Sequence, residues 1–217
     1  MDLTNLPTEL TTSATDAVLA IECIVITVCL WRTATSDRWR TALWCWVFGL
    51  MAFSSLLGAI THGFEMPNST REVLWKPLYL SMWVVVALFM VGTIYDWRGR
   101  VVAERLVPWA IGTGAAFFGL AEFLSGSFIL FVAYEATAMV CALAIYSFLA
   151  VTRRLLGAGI VVTTIVLNLA AAGAQASAAS IWIFVPFDHN GIFHVIQMVG
   201  AAILGLGLRT GMHPEEG

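Results

Sequence analysis

The sequence predicts an all-α protein, a bundle of seven transmembrane helices with its N-terminus outside and its C-terminus in the cytoplasm. Three observations carry that expectation. Apolar residues make up 59% of the 217 and charged residues only 12%, against about 25% charged in a soluble domain, and the mean hydropathy is +0.85. Seven apolar stretches approach the roughly 20 residues that a helix needs to cross a hydrocarbon core about 30 Å thick. Arginines gather in every second loop, which fixes an orientation by the positive-inside rule.

The spans follow in order. The first runs from Asp16 to Trp31, the second from Thr41 to His62, the third from Val73 to Tyr95 and the fourth from Leu106 to Phe123. The fifth runs from Ser127 to Val151, the sixth from Leu155 to Phe184 and the seventh from Gly191 to Leu208. Between the fourth and fifth, Leu124-Ser125-Gly126 makes a tight link. Residues 1–217 therefore form a single domain with no room for a soluble one. Met1 to Thr15 holds no basic residue ahead of the first span, so no signal peptide is expected and the first helix is retained. Arg32, Arg38 and Arg40 follow span one, Arg98, Arg100 and Arg105 follow span three, Arg153 and Arg154 follow span five, and Arg209 follows span seven. The opposite loops hold only Arg71 and the lone Lys76.

Composition excludes several classes. A net charge of −3 without a basic stripe speaks against nucleic acid as a partner. Cys23, Cys29, Cys45 and Cys141 lie inside apolar stretches without a C-x-x-C pair, which reads as small buried hydrophobes rather than disulfides or a zinc knuckle. Retinal is excluded because its Schiff base needs a lysine in the seventh helix, and Lys76 lies at the start of the third.

The topology assigns each polar residue a depth. Glu22 lies six residues past Asp16, about 9 Å along a helix axis, in the outer half. His62, Glu122, Glu135, Gln175, Asp188, His189 and His194 also fall in the outer half, whereas the inner half, apart from loop arginines, is nearly free of ionisable groups. A charge at the bilayer centre costs roughly 2.5–3.5 kcal/mol on insertion scales, so these groups are expected to face one another. Span seven carries the most specific pattern. Asn190 and His194 are four apart on one helix face, and a chain bend at Gly191 lets Asp188 and His189 turn toward the bundle axis. In span two, Ser55 lies seven before His62 and on its face.

One histidine at the outer end of helix two and a histidine pair on helix seven resemble the superfamily of alkaline ceramidases, adiponectin and progestin receptors and related membrane hydrolases. The resemblance implies a zinc ion held by one histidine of helix two and two of helix seven, helped by a serine four before the first and an aspartate on helix three. His62 matches the first ligand and His194 the last. The first helix-seven position is Asn190, with His189 beside it; the serine position is Gly58, and helix three has no aspartate in its interior, Glu72 at its start being the nearest acid. His62, His189 and His194 are thus the candidate zinc ligands, Glu22 and Asp188 the candidate catalytic carboxylates, and a lipid amide or ester the implied substrate. Purified protein is then expected to carry about one zinc per chain.

Other readings stand beside that one. His62 and His189 also suit interfacial positions, and His194 an interhelical hydrogen bond. Ser69 to Glu72 fits a capping box ahead of helix three, and Glu122 an interfacial site. Glu135 is placed to bond Gln175 or to orient a ligand histidine. Asn68-Ser69-Thr70 matches a glycosylation acceptor, the nine tryptophans an aromatic belt, and the small-residue run Ala170 to Ala179 a close helix approach. A haem between His62 and His194 and a non-enzymatic transporter, sensor or accessory subunit are the competing functions. Membrane lipids are the expected partners, with a homo-oligomer or an accessory partner as further alternatives.

Overall fold

The computed structural model describes residues 2–33, 37–124 and 128–212, and the Ser125-Gly126 link lies outside them. It contains seven helices, each long and apolar enough to cross a membrane. They are α1 (Pro7–Thr33), α2 (Arg38–Gly63), α3 (Asn68–Arg98), α4 (Arg100–Phe123), α5 (Phe128–Val151), α6 (Ala158–Gln175) and α7 (His189–Met212). Between α6 and α7 lies a hairpin of two short antiparallel strands, β1 (Ile181–Trp182) and β2 (Pro186–Phe187).

Neighbouring helices close a ring in the order α1, α2, α3, α5, α6, α7, with α7 returning to α1. α4 lies outside the ring against α3. The residues it buries are Ala103, Gly114 and Ala121, and a Cβ on Gly114 would stand 3.0 Å from the Trp83 carbonyl oxygen. Small residues allow that backbone approach where no hydrophobic effect drives helices together in lipid. α1 and α7 run parallel: Thr15 meets His194, and eleven residues further along both helices Ile26 lies against Gly205.

Several expected boundaries shift for local reasons. α1 begins nine residues ahead of Asp16 because Thr11 bonds back to the Pro7 carbonyl, and residues 2–5 are tied to the end of α2. There Thr4 N donates to Gly63 O at 3.0 Å, and Glu65 N to Asp2 O at 2.9 Å. α2 starts at a side-chain cap, Arg40 N donating to Asp37 Oδ1 at 3.0 Å. α3 starts at Pro67 without a side-chain cap, so the capping box expected from Ser69 to Glu72 does not form. Gly99, at φ 84°, ends α3 and starts α4 in one turn. α6 ends at Gln175 rather than near Phe184, because the apolar run beyond it folds into the hairpin.

The core also corrects the tryptophan reading. Trp44 and Trp83 are sealed inside the bundle rather than set in a belt. Trp44 meets Phe89 edge-on at 5.6 Å and fills the space left by Gly92, where a Cβ would lie 2.6 Å from its ring. Of the four free cysteines, Cys23 is buried and Cys45 half-buried, whereas Cys29 and Cys141 face outward.

The end of the bundle carrying most arginines is not as free of buried charge as the sequence suggests. Arg40 Nε of α2 lies 2.8 Å from Asp96 Oδ1 of α3, both side chains nearly inaccessible. Tyr146 of α5 donates to Asp96 Oδ2 at 2.8 Å, and Arg40 Nη1 donates to the Gly211 carbonyl of α7 at 3.0 Å. Four helices of the ring are therefore pinned at this end by one charged cluster.

Candidate functional site

The opposite end holds a cavity of about 610 Å³ lined from all six helices of the ring. His62, His189 and His194 all line it, together with Asn190, Ser54, Ser55 and Asp16. Helical spacing explains the convergence: Ser55 and His62 share a face of α2, and Asn190 and His194 share a face of α7.

His194 is buried, with its ring between Thr15 and Asp16. The Thr15 hydroxyl donates its one proton to the Thr12 carbonyl at 2.8 Å, so toward His194 Nδ1, 3.1 Å away, its oxygen acts as acceptor. In that arrangement Nδ1 carries the ring proton, and the opposite nitrogen, Nε2, lies 3.4 Å from Asp16 Oδ1. The lone pair of a neutral imidazole and a bare carboxylate repel. A proton or a cation between them relieves that repulsion, since in that state each is an acceptor without its own hydrogen.

His62 has the same arrangement of an outer partner. Its Nδ1 lies 2.6 Å from Glu9 Oε2 on α1, a charge-assisted distance, which leaves Nε2 as the free nitrogen. Its ring meets Trp75 edge-on at 5.4 Å, and Trp75 stacks on Tyr79. Both histidines thus have Nδ1 engaged by an oxygen acceptor, the pattern by which an outer partner fixes the tautomer of a metal-binding imidazole.

Asp16 is the residue that sequence reasoning missed, having served only to mark the start of the first span. It is 4% exposed and lies over Gly58, where a Cβ would be 2.5 Å from Asp16 Oδ2. A carboxylate from α1 thus fills the space that a side chain at 58 would need. Gly58→Ala is expected to displace Asp16 and to destabilise the bundle by about 1–3 kcal/mol, the range for overpacking a filled site. Thermal unfolding of the variant in detergent measures this, and an unchanged midpoint would contradict the packing described.

The remaining candidates are dispersed. Asp188 stands just ahead of α7, its Oδ1 accepting from Gly191 N at 2.9 Å and from the Thr12 hydroxyl at 3.0 Å. It acts as a helix cap tied to α1. Glu22 is half-buried on α1 and is not among the residues lining the cavity. Glu72 and Glu122 are exposed. Glu135 and Gln175 both line the cavity, but no bond joins them. Among the described residues, no three His, Cys, Asp or Glu side chains stand close enough together to hold a metal ion as they are.

Fold and site together define a seven-helix bundle among the described residues, apolar enough to cross a membrane, with a cavity at one end that holds an imidazole–carboxylate pair. The chain belongs to DUF6962, a family of unknown function, whose model matches residues 11–213. Neither a curated protein nor a solved structure matches it.

Proposed function

We propose that this protein is a zinc-dependent membrane hydrolase acting on a lipid amide or ester, a divergent relative of the ceramidase and adiponectin-receptor superfamily. In this reading its N-terminus and cavity face the extracytoplasmic side. The observation that carries the proposal is the contact between His194 Nε2 and Asp16 Oδ1. At 3.4 Å it is long for a charge-assisted hydrogen bond, which favours about 2.7–2.9 Å. It equals the separation of about 3.3–3.4 Å between two zinc ligands at roughly 2.0–2.1 Å in a tetrahedral site.

The donor chemistry fits zinc: two imidazole nitrogens, each with its other nitrogen held by an outer acceptor, and one carboxylate. A catalytic zinc site takes three protein ligands and keeps one open position. His194 and Asp16 supply two of those ligands. His62 Nε2, on the same cavity, is the third in this reading, in place of the His189 that the resemblance offers beside Asn190. Zinc, when bound, polarises a carbonyl and makes water a nucleophile at neutral pH. Thr15 and Glu9 orient the two rings, and His189 and Asn190 stand at the rim of the same cavity to bond the polar part of a substrate. The apolar wall of Met82, Val85 and Phe131 suits an acyl chain and excludes water.

The carboxylate beside His194 Nε2 argues against a haem spanning the two histidines, because it occupies the approach an iron would need; a Soret band in the pure protein would restore that alternative. The hydrolase reading is tested by incubating zinc-loaded protein with a panel of N-acyl and O-acyl lipids and measuring released fatty acid. Release by the wild type and none by Asp16→Asn is the expected result. No release from any member of the panel would favour a non-enzymatic role.

A further inference from the structure

Glu135 has no role in the site just described, and its surroundings give it one. It lies in the second turn of α5, on the cavity wall opposite α1. Among the described residues its carboxyl group has no hydrogen-bond or ion-pair partner: neither Gln175 nor any histidine bonds it, and Glu135 is not among the residues with further contacts. Its oxygens are also not sealed in the protein, since neither is among the fully buried side-chain polar atoms left unbonded among the described residues. They open on the cavity. An ionisable group at membrane depth needs a partner, and here the protein leaves that place to whatever enters.

Charge decides what enters. No lysine or arginine is among the residues lining the cavity, which carries two carboxylates, Asp16 and Glu135, beside the histidines His62, His189 and His194. Asp16 faces His194; Glu135 has no such partner, and Tyr79, Met82 and Val132 line the same cavity. An anionic head would meet like charge there. A cationic head bearing N–H donors would gain a charge-assisted hydrogen bond, with its chain along the apolar wall.

We propose that Glu135 is the recognition point for the ammonium group of a single-chain amphiphile, and that the cavity selects amine-bearing lipids over fatty acids. This rests on the reading that the cavity accepts a lipid, not on the presence of zinc.

The test is binding of tritiated dodecylamine to the full chain in phosphatidylcholine nanodiscs, read by scintillation proximity, with dodecanol and laurate as competitors. Saturable binding is expected, with laurate displacing the amine poorly. Glu135→Gln is expected to weaken it at least about tenfold, as loss of one partner of a desolvated charged contact does. Glu135→Asp, which keeps the charge, is expected to stay within about threefold of wild type. Laurate displacing dodecylamine as effectively as dodecylamine itself would overturn the proposal in the wild type alone. Equal affinities of the Gln and Asp variants would overturn it as well. A chain that binds dodecylamine through Glu135 but holds no zinc would sink the hydrolase and leave this inference standing.

Discussion

His194→Ala is expected to strip zinc from the purified protein and to end lipid hydrolysis while the seven helices still form. The effect is large because His194 sits at the centre of the contacts: Thr15 on one side of its ring, Asp16 on the other. Thr15→Val is the finer probe. It leaves every proposed ligand in place and removes only the oxygen that accepts from Nδ1, so the ring loses its fixed tautomer. Loss of such an outer partner lowers metal affinity by about 10–100-fold. Competition against a fluorescent zinc chelator orders the three proteins as wild type, Thr15→Val and then His194→Ala. A Thr15→Val affinity equal to wild type would show that the hydroxyl does not orient a ligand.

The second large effect lies at the other end of the bundle, where no part of the cavity reaches. Asp96→Ala leaves the Arg40 guanidinium buried without its counter-charge, and it also removes the acceptor of the Tyr146 hydroxyl. Breaking a buried pair by removing one partner destabilises by about 3–5 kcal/mol, because the remaining charge is uncompensated. Tyr146→Phe removes one hydrogen bond and is expected to cost only about 1 kcal/mol. Unfolding by denaturant in mixed micelles measures both. The account requires Asp96→Ala to be the weaker protein by a clear margin; equal stabilities would mean that Arg40 finds another partner, such as the Gly211 carbonyl it already contacts.

The seven helices are legible in the sequence because apolar length alone specifies them, and the gathering of His62, His189 and His194 at one end follows from alternation of direction along the chain. Helix ends are less legible. Pro7 to Thr15 carries polar residues that no hydropathy window favours, yet they are helical because Thr12 and Thr15 face α7 and Ser13 donates to the Ala59 carbonyl of α2 at 2.7 Å. These contacts between α1 and its neighbours exist only after folding. Asp16 was invisible as a site residue for the same reason: its partner is 178 positions away and nothing local marks it. Gly58 was the available signal. A glycine near the end of α2 leaves room for a group from a neighbouring helix, and that group is the Asp16 carboxylate. Asp96 is a similar case. It sits one residue past the expected end of the third span, and only the register of α2 against α3 shows that Arg40 reaches it. Glu22, by contrast, has the right depth but the wrong face of α1, and depth was all that a count along the chain supplied.

Zinc content of the purified full-length chain is the most direct test of the central claim that His62, His194 and Asp16 share an ion. Elemental analysis should find about one zinc per wild-type chain and almost none in Asp16→Ala or His194→Ala, and chelation should lower the thermal midpoint of the wild type. A wild-type chain without transition metal, whose midpoint chelator leaves unchanged, would contradict it.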